Sequence, residues 1–140
     1  MSNESTFRKQ DAELNEVIAL PDADGTVYTT GHDLGAVPAD DARLAGMELE
    51  VRAPVLDGTA LPVGGTVVYV VQHSTALASG YASLYGTVLT QTAAVSVGGA
   101  AEATKRVRLP SDCNRYVRIS ATTASAGDCS DSDAELRLLT

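Results

Sequence analysis

The sequence is poor in aromatic residues, in cysteine and in positive charge, and each shortage excludes a class of protein. Its 140 residues include no Trp, one Phe and two Cys, and 10 Lys and Arg stand against 18 Asp and Glu, a net charge of -8. General nucleic-acid binding needs clustered cations that neutralise phosphates, so this charge argues against it. Two cysteines are too few to hold a small fold together by disulfides.

Long apolar runs are also missing. No stretch approaches the roughly 18 apolar residues that a membrane-spanning helix needs, and residues 1–20 contain acids and lack the apolar centre of a secretory signal. We therefore expect no membrane partner and a protein that is made inside a cell. With 44% apolar and 20% charged residues the chain has the composition of a folded protein, and its length suits one domain.

Apolar and polar residues alternate in parts of the sequence, which is the pattern of half-buried β-strands. In Met47–Ala53 the apolar residues occupy every second position, and Glu48, Glu50 and Arg52 lie between them. Thr66–His73 is almost entirely β-branched or aromatic, which predicts a central strand buried on both faces.

The second half of the chain continues in strands. A strand is predicted over Thr87–Thr92 and a final one over Ala134–Leu139. Lys105–Leu109 and Tyr116–Thr122 are separated by a short turn, which predicts an antiparallel hairpin. Seven or eight short strands with Gly, Pro and Asp turns, and no βαβ rhythm, indicate an all-β protein, an antiparallel jelly roll or β-sandwich.

The N-terminus predicts an arm beside this domain. We expect the arm to span residues 1–20 and the single jelly-roll domain residues 21–140. Ser5–Ile18 is compatible with a short helix or with an extended segment. Its apolar side chains would be exposed on a small domain, and we expect the arm to become ordered only against a partner. Four of them are candidate partner contacts: Phe7, Leu14, Val17 and Ile18.

Residues for catalysis or metal binding are scarce. The two histidines, His32 and His73, are not accompanied by a Gly-x-Ser-x-Gly elbow, which argues against a hydrolase. Cys113 and Cys129 have no nearby second ligand that would complete a zinc site, and the sequence leaves open whether they pair. The segment Asp128–Asp133 lacks the glycine and the final acid of an EF-hand. We expect no enzymatic activity, no metal and no cofactor.

Positive charges collect late in the chain. Three arginines, expected on the solvent face of the predicted hairpin, are candidate partner contacts: Arg106, Arg108 and Arg118. They either pair with local acids, as on an ordinary solvated strand, or form a docking surface for an acidic partner. Residues 1–46 carry nine acids against three bases, so a neighbouring copy of the chain is one such partner.

The order of these segments resembles that of the small jelly-roll cementing (decoration) proteins of tailed-bacteriophage capsids. The Leu-Pro, turn, Arg-Tyr-Val-Arg stretch is the most specific part of the resemblance. The matching stretches cover most of the chain: the N-terminal arm reading into Ala19–Pro21 and Asp33–Gly35, then Met47–Val51, Thr66–Ser74, Arg106–Pro110, Arg115–Ile119 and Ala134–Leu139.

The resemblance implies a structural virion protein without catalytic residues. Such proteins bind the outer surface of a shell of HK97-like major capsid subunits and clamp neighbouring capsomers as homodimers. The implied partners are the major capsid protein and a second copy of the chain. The implied location is the outer capsid surface, after synthesis in the cytoplasm of the bacterial host. By the same resemblance the N-terminal arm contacts the shell or the partner subunit.

Two other functions remain open on the residues alone. The first is a carbohydrate- or receptor-binding β-sandwich module, for which Tyr81 and Tyr85 are the candidate aromatic surface; the aromatic content of 4% argues against it. The second is a small hydrolase that uses His32 or His73.

Overall fold

The computed structural model describes residues 10–35, 37–39, 44 and 47–139, with side chains from residue 15 onward. In this part of the chain, no helix is long and apolar enough to cross a membrane. The described strands are β1 (Gln10–Ala19), β2 (Gly25–Tyr28), β3 (His32–Asp33), β4 (Glu48–Ala53), β5 (Thr66–Ser74), β6 (Ala82–Thr92), β7 (Ala103–Arg108), β8 (Tyr116–Ala124) and β9 (Asp133–Leu139).

Two antiparallel sheets face each other across one core. The first sheet has the strand order β1-β9-β4-β7, and the second has the order β2-β8-β5-β6 with β3 also paired to β8. Inner strands of both sheets bury alternate side chains between the sheets, among them Leu49, Val51, Tyr69, Ile119 and Leu136. This arrangement confirms the predicted all-β antiparallel sandwich.

Strand β5 lies inside the second sheet, between β8 and β6, as its composition predicts. Val67, Tyr69 and Val71 are fully buried, whereas Val68 and Val70 on the other side of the strand are half-buried. The expectation of burial on both faces is therefore wrong for the outer face. A two-sheet sandwich covers only one face of each sheet, and among the described residues no helix layer lies over the other.

The predicted hairpin between Lys105–Leu109 and Tyr116–Thr122 does not form. Strand β7 pairs with β4 in the first sheet, and β8 pairs with β5 in the second. The connection between them crosses from one sheet to the other and is anchored at Leu109, whose amide donates to Met47 O at 3.0 Å. Alternation in a strand tells which side chains face the core but not which strand lies beside it, so the pattern did not distinguish a hairpin from a crossover.

The described half of the predicted arm is part of the sandwich. Residues 10–19 form the edge strand β1, which pairs with β9 so that Val17 lies opposite Glu135 and Ile18 opposite Ala134. Of the two conformations left open, the extended one is correct for this stretch, because pairing with β9 satisfies the backbone groups of both strands. Ile18 packs against the core and Val17 is exposed. Phe7 and the side chain of Leu14 lie outside the described residues.

Four loops meet at one end of the sandwich: residues 20–24, 54–65, 93–102 and 125–132. Backbone hydrogen bonds join them, from Gly127 N to Ala60 O at 2.9 Å, from Cys129 N to Pro21 O at 3.0 Å, and from Gly99 N to Leu61 O at 2.7 Å. These cross-loop bonds hold the loops as one surface.

Candidate interaction surfaces

The outer face of the first sheet is a lattice of alternating charges. Pairing of β4 with β7 places Arg106 opposite Glu50 and Arg108 opposite Glu48. The Nε of Arg106 donates to Glu50 Oε2 at 2.9 Å, and Arg137 Nη1 lies 3.7 Å from Glu50 Oε1. Glu50 is buried although it points away from the core, because these side chains cover it. The arginines of this face are balanced by local acids.

The three candidate arginines do not share a face. Arg106 and Arg108 lie on β7 in the first sheet, and Arg118 lies on β8 in the second. The positive patch expected from the hairpin is therefore absent among the described residues. The sequence left open whether Arg106 pairs with a local acid or belongs to a docking surface. In the structure it forms an ion pair with Glu50.

Arg118 lies between two tyrosines on the outer face of the second sheet. Its guanidinium carbon is 4.1 Å from the ring centroid of Tyr28 and 4.0 Å from that of Tyr81. Its Nε donates to Gln72 Oε1 at 2.8 Å. Cation–π contact on both sides, together with this hydrogen bond, fixes the orientation of the side chain.

The two tyrosines proposed as an aromatic surface have separate structural roles. Tyr81 packs on Arg118, and its hydroxyl donates to Leu77 O at 2.8 Å. The hydroxyl of Tyr85 donates to the carbonyl of Arg108 and so connects β6 with the end of β7. Burial raises the pKa of Tyr85 to about 12. The aromatic neighbour of Tyr81 is Tyr28 across Arg118, which the sequence did not indicate.

The two histidines lie on either side of strand β8 and contact neighbouring elements. His32 and His73 flank Val117 from the strands on either side of it. His73 Nδ1 accepts a hydrogen bond from Asn114 N at 2.9 Å, and His32 Nδ1 lies 3.7 Å from Glu16 Oε1 on the facing sheet. In the part of the chain that the structure describes, no group of three His, Cys, Asp or Glu side chains is placed to hold a metal ion.

Both cysteines are free thiols inside the molecule, so the question of their pairing is answered for this fold. Cys113 Sγ donates to Asn114 O, and Cys129 Sγ donates to Ala60 O, each at 3.2 Å. Burial, with a smaller contribution from Asp112, raises the pKa of Cys113 to about 12. Burial and nearby aspartates also raise the pKa of Cys129. Neither thiol is poised for nucleophilic chemistry.

Four valines project into solvent from two of the loops that meet at one end of the sandwich. Val55 is 65% exposed, Val63 55%, Val95 89% and Val97 77%. We call this surface, formed by the four valines and the loops 20–24, 54–65, 93–102 and 125–132, the valine end. Val55 and Val97 also line an open groove of about 700 Å³ that reaches Thr90 and Thr92 of β6.

The loops that carry the valines are held in place by hydrogen bonds. Leu56 and Ala100 exchange both backbone bonds at 2.8 Å, and Gln91 Nε2 donates to Pro54 O at 2.6 Å and to Ala101 O at 3.1 Å. Gly98 has φ +72°, and a Cβ there would lie 2.7 Å from Leu61 O, so the turn requires glycine. The valines are therefore displayed on fixed loops.

The valine end is also acidic. Its loops contain six acids and no Lys or Arg: Asp22, Asp24, Asp57, Glu102, Asp128 and Asp131. Asp24 and Asp57 each accept two backbone N–H bonds, and Ser130 lowers the pKa of Asp128 by donating from both its hydroxyl and its amide. Only Glu102 has an arginine partner among the described residues, Arg52 at 2.8 Å.

Sequence reasoning did not find the valine end. Val63, Val95 and Val97 stand beside Gly-Gly or Gly turns, and that combination of apolar residues inside turn sequences was the available signal. Of the contact candidates named from sequence, Val17, Arg106 and Arg108 lie on strands of the first sheet and Arg118 on a strand of the second.

No protein-family model and no curated protein matches the sequence. Among solved structures, the K3 cleaved adhesin domain of Lys-gingipain from Porphyromonas gingivalis is 13% identical, with 89% of this chain and 71% of that one covered and a TM-score of 0.42. The K1 cleaved adhesin domain of the same protein is 15% identical, with 92% and 83% covered and the same TM-score. Likenesses of this size carry no inference about what the chain does.

Proposed function

We propose that the chain is a non-catalytic structural protein that cements the capsid of a tailed bacteriophage. In this proposal it binds the outer surface of a shell of HK97-like major capsid subunits as a homo-oligomer. The observation that carries it is the valine end, where four exposed apolar side chains stand on hydrogen-bonded loops of a β-sandwich. Such a surface suits binding to another protein. The nature of that protein comes from the resemblance of the strand motifs.

An uncharged sheet edge, whose pairing is interrupted by register shifts opposite Tyr69–Gln72, supports self-association. Strand β6, Ala82–Thr92, is an edge strand of eleven residues with no charged residue and no proline. The other long edges carry charge, with Lys105, Arg106 and Arg108 on β7, and β2 has only four residues. A long uncharged edge pairs readily with another strand, and two copies of β6 paired across a two-fold axis would join the second sheets.

Binding to shells tests the function directly. Expanded shells assembled from the co-encoded major capsid subunit, without this chain, are mixed with the purified protein and sedimented. Saturable co-sedimentation, with a copy number near that of the shell subunit, is the expected result. A protein that stays in the supernatant at every concentration would refute the proposal.

Self-association is tested at β6. Thr87 is exposed on this edge, and Thr87→Lys adds a charge there. We expect sedimentation velocity to show a monomer for this variant and a dimer for the wild type. Thr26→Lys, on the exposed short edge strand β2, is the matched control and should leave the dimer intact. A Thr87→Lys protein that remains dimeric would remove β6 from the interface.

A second candidate function, a carbohydrate- or receptor-binding module, is favoured by the cluster around Arg118. Tyr28 is 46% exposed, and Arg118 and Gln72 supply polar groups beside its ring. Sugar-binding sites combine an aromatic surface with such polar groups. A glycan array separates the two functions: binding that is lost in Tyr28→Ala would support the module, whereas shell binding unchanged by this substitution supports cementing.

A further inference from the structure

We propose that the valine end is the face that meets the partner, and that the partner surface opposite it is basic, with apolar side chains between its charges. The inference rests on the proposed function only in taking that partner to be a capsid shell. The chemistry of the contact follows from the loops themselves.

The four exposed valines are grouped at one end of the molecule. A single exposed valine is ordinary on a protein surface, but Val55, Val63, Val95 and Val97 come from two loops that are hydrogen-bonded to each other. Each loop is fixed by its own glycine turn or by Gln91, so the side chains do not turn inward. Their exposed surface is available for burial against another molecule.

The loops of the valine end contain no Lys or Arg. Five aspartates of the valine end have no Lys or Arg partner among the described residues: Asp22, Asp24, Asp57, Asp128 and Asp131. On the outer face of the first sheet, by contrast, Glu50 lies between two arginines. Glu50 is therefore neutralised by its neighbours, whereas these five aspartates beside the valines are not.

This charge excludes a second copy as the occupant of the valine end. A two-fold contact would place the five aspartates of one protomer against the same five of the other, and like charges in a contact oppose association. A basic surface gives the complementary charge.

The groove indicates how such a surface fits. Its walls combine the apolar Val55 and Val97 with Asp57 and the hydroxyls of Thr90 and Thr92. A lysine or arginine of the partner matches this lining, because its aliphatic stem packs on valine while its charged head reaches a carboxylate. We therefore expect long basic side chains of the partner to enter the groove.

Two double variants test the apolar and the charged parts separately. Val95→Ser with Val97→Ser removes apolar surface at positions that are more than three-quarters exposed, so the fold is expected to survive. Asp22→Asn with Asp131→Asn removes two charges at exposed positions. The matched controls lie at the opposite end of the sandwich: Leu77→Ser, 51% exposed, for the first and Asp112→Asn for the second.

The readout is the dissociation constant for expanded shells at several salt concentrations, with circular dichroism as a check of folding. We expect the valine variant to bind at least ~10-fold more weakly, since two buried valines contribute well over one decade of affinity. We expect the aspartate variant to bind several-fold more weakly and with a smaller dependence on salt. Wild-type binding by either double variant would overturn the proposal.

A second probe separates this inference from the proposed function. A synthetic peptide of alternating lysine and leucine presents the expected partner chemistry without a shell, and one of alternating glutamate and leucine is its control. If the wild type binds the lysine peptide but no shell, and both double variants lose that binding, the cementing function fails and the inference stands. A valine variant that changes the oligomeric state would mean that a second copy covers this end, which overturns the inference.

Discussion

A buried hydrogen bond between Tyr69 and Gln91 is the sharpest test of how this sandwich is closed. Tyr69 is fully buried on β5, and its hydroxyl donates to Gln91 Oε1 at 2.7 Å. Gln91 is buried on the edge strand β6, and its amide group donates to the carbonyls of Pro54 and Ala101. One side chain thus connects the core of the second sheet with both loops that carry the exposed valines.

The expected free energies follow from which groups lose their partners. Tyr69→Phe leaves Gln91 Oε1 buried without a donor, which costs about 1–2 kcal/mol of unfolding free energy. Gln91→Met leaves the Tyr69 hydroxyl unpaired and removes two bonds to carbonyls nearer the surface, so we expect about 2–4 kcal/mol. In the double variant both partners of the bond are removed together. Its loss of unfolding free energy is therefore expected to be about 1–2 kcal/mol smaller than the sum of the two single losses.

Urea unfolding of the four proteins at one fixed protein concentration measures this coupling, since self-association shifts apparent stability. The slope of the free energy against urea should be the same for all four. Losses that add to within about 0.3 kcal/mol would refute the reasoning, because independent sites behave in that way. A Tyr69→Phe protein as stable as the wild type would refute it too, since the glutamine oxygen would then have another partner.

Three further predictions concern single groups. Cys113 and Cys129 should react slowly with a thiol reagent at pH 8 in the native protein and completely in urea, because burial raises both pKa values; rapid native labelling would contradict this. The hydrogen bond from Arg115, and after it the one from the Gly35 amide, lowers the pKa of the Asp33 carboxyl below its ordinary 3.8. The stability that the ionised carboxylate gives the fold is therefore present above pH 3.8, and it is lost as the pH falls through the lower pKa of the folded protein. Both side chains are partly exposed, so Asp33→Asn should cost under ~1 kcal/mol at pH 7 and progressively less as the pH falls through the folded pKa, and a cost that does not change with pH would refute the pairing. Glu50→Gln should cost about 1–2 kcal/mol in urea unfolding, and a neutral result would mean that its arginines are satisfied by water.

Several strands follow directly from local pattern. The alternation in Met47–Ala53 predicts β4, and the structure buries Leu49, Val51 and Ala53 on one side as expected. Ala134–Leu139 predicts β9 to within one residue. These predictions succeed because side chains of a strand point to opposite faces in turn, so burial on one face is visible in the sequence itself.

The candidate contacts could not be predicted in the same way. Arg106 and Arg118 are close in sequence and alternate with apolar residues alike, yet one pairs with Glu50 and the other stacks between Tyr28 and Tyr81. Their surroundings come from strands far away in the chain. Whether an arginine is free or neutralised depends on which strand lies next to it, and that information is not local.

The sequence by itself determined the class of the fold, the shortage of reactive groups and the excess of acid, because these depend on backbone periodicity and on composition. The tertiary structure decided where the acid and the exposed apolar surface lie. Asp24, Asp57 and Asp128 are far apart along the chain, and they share one end of the molecule with Val95 and Val97 only because antiparallel strands bring four loops to that end. Because neighbouring strands are antiparallel, successive loops lie at one end of the sandwich or at the other. The net charge of the chain does not show which loops lie at which end.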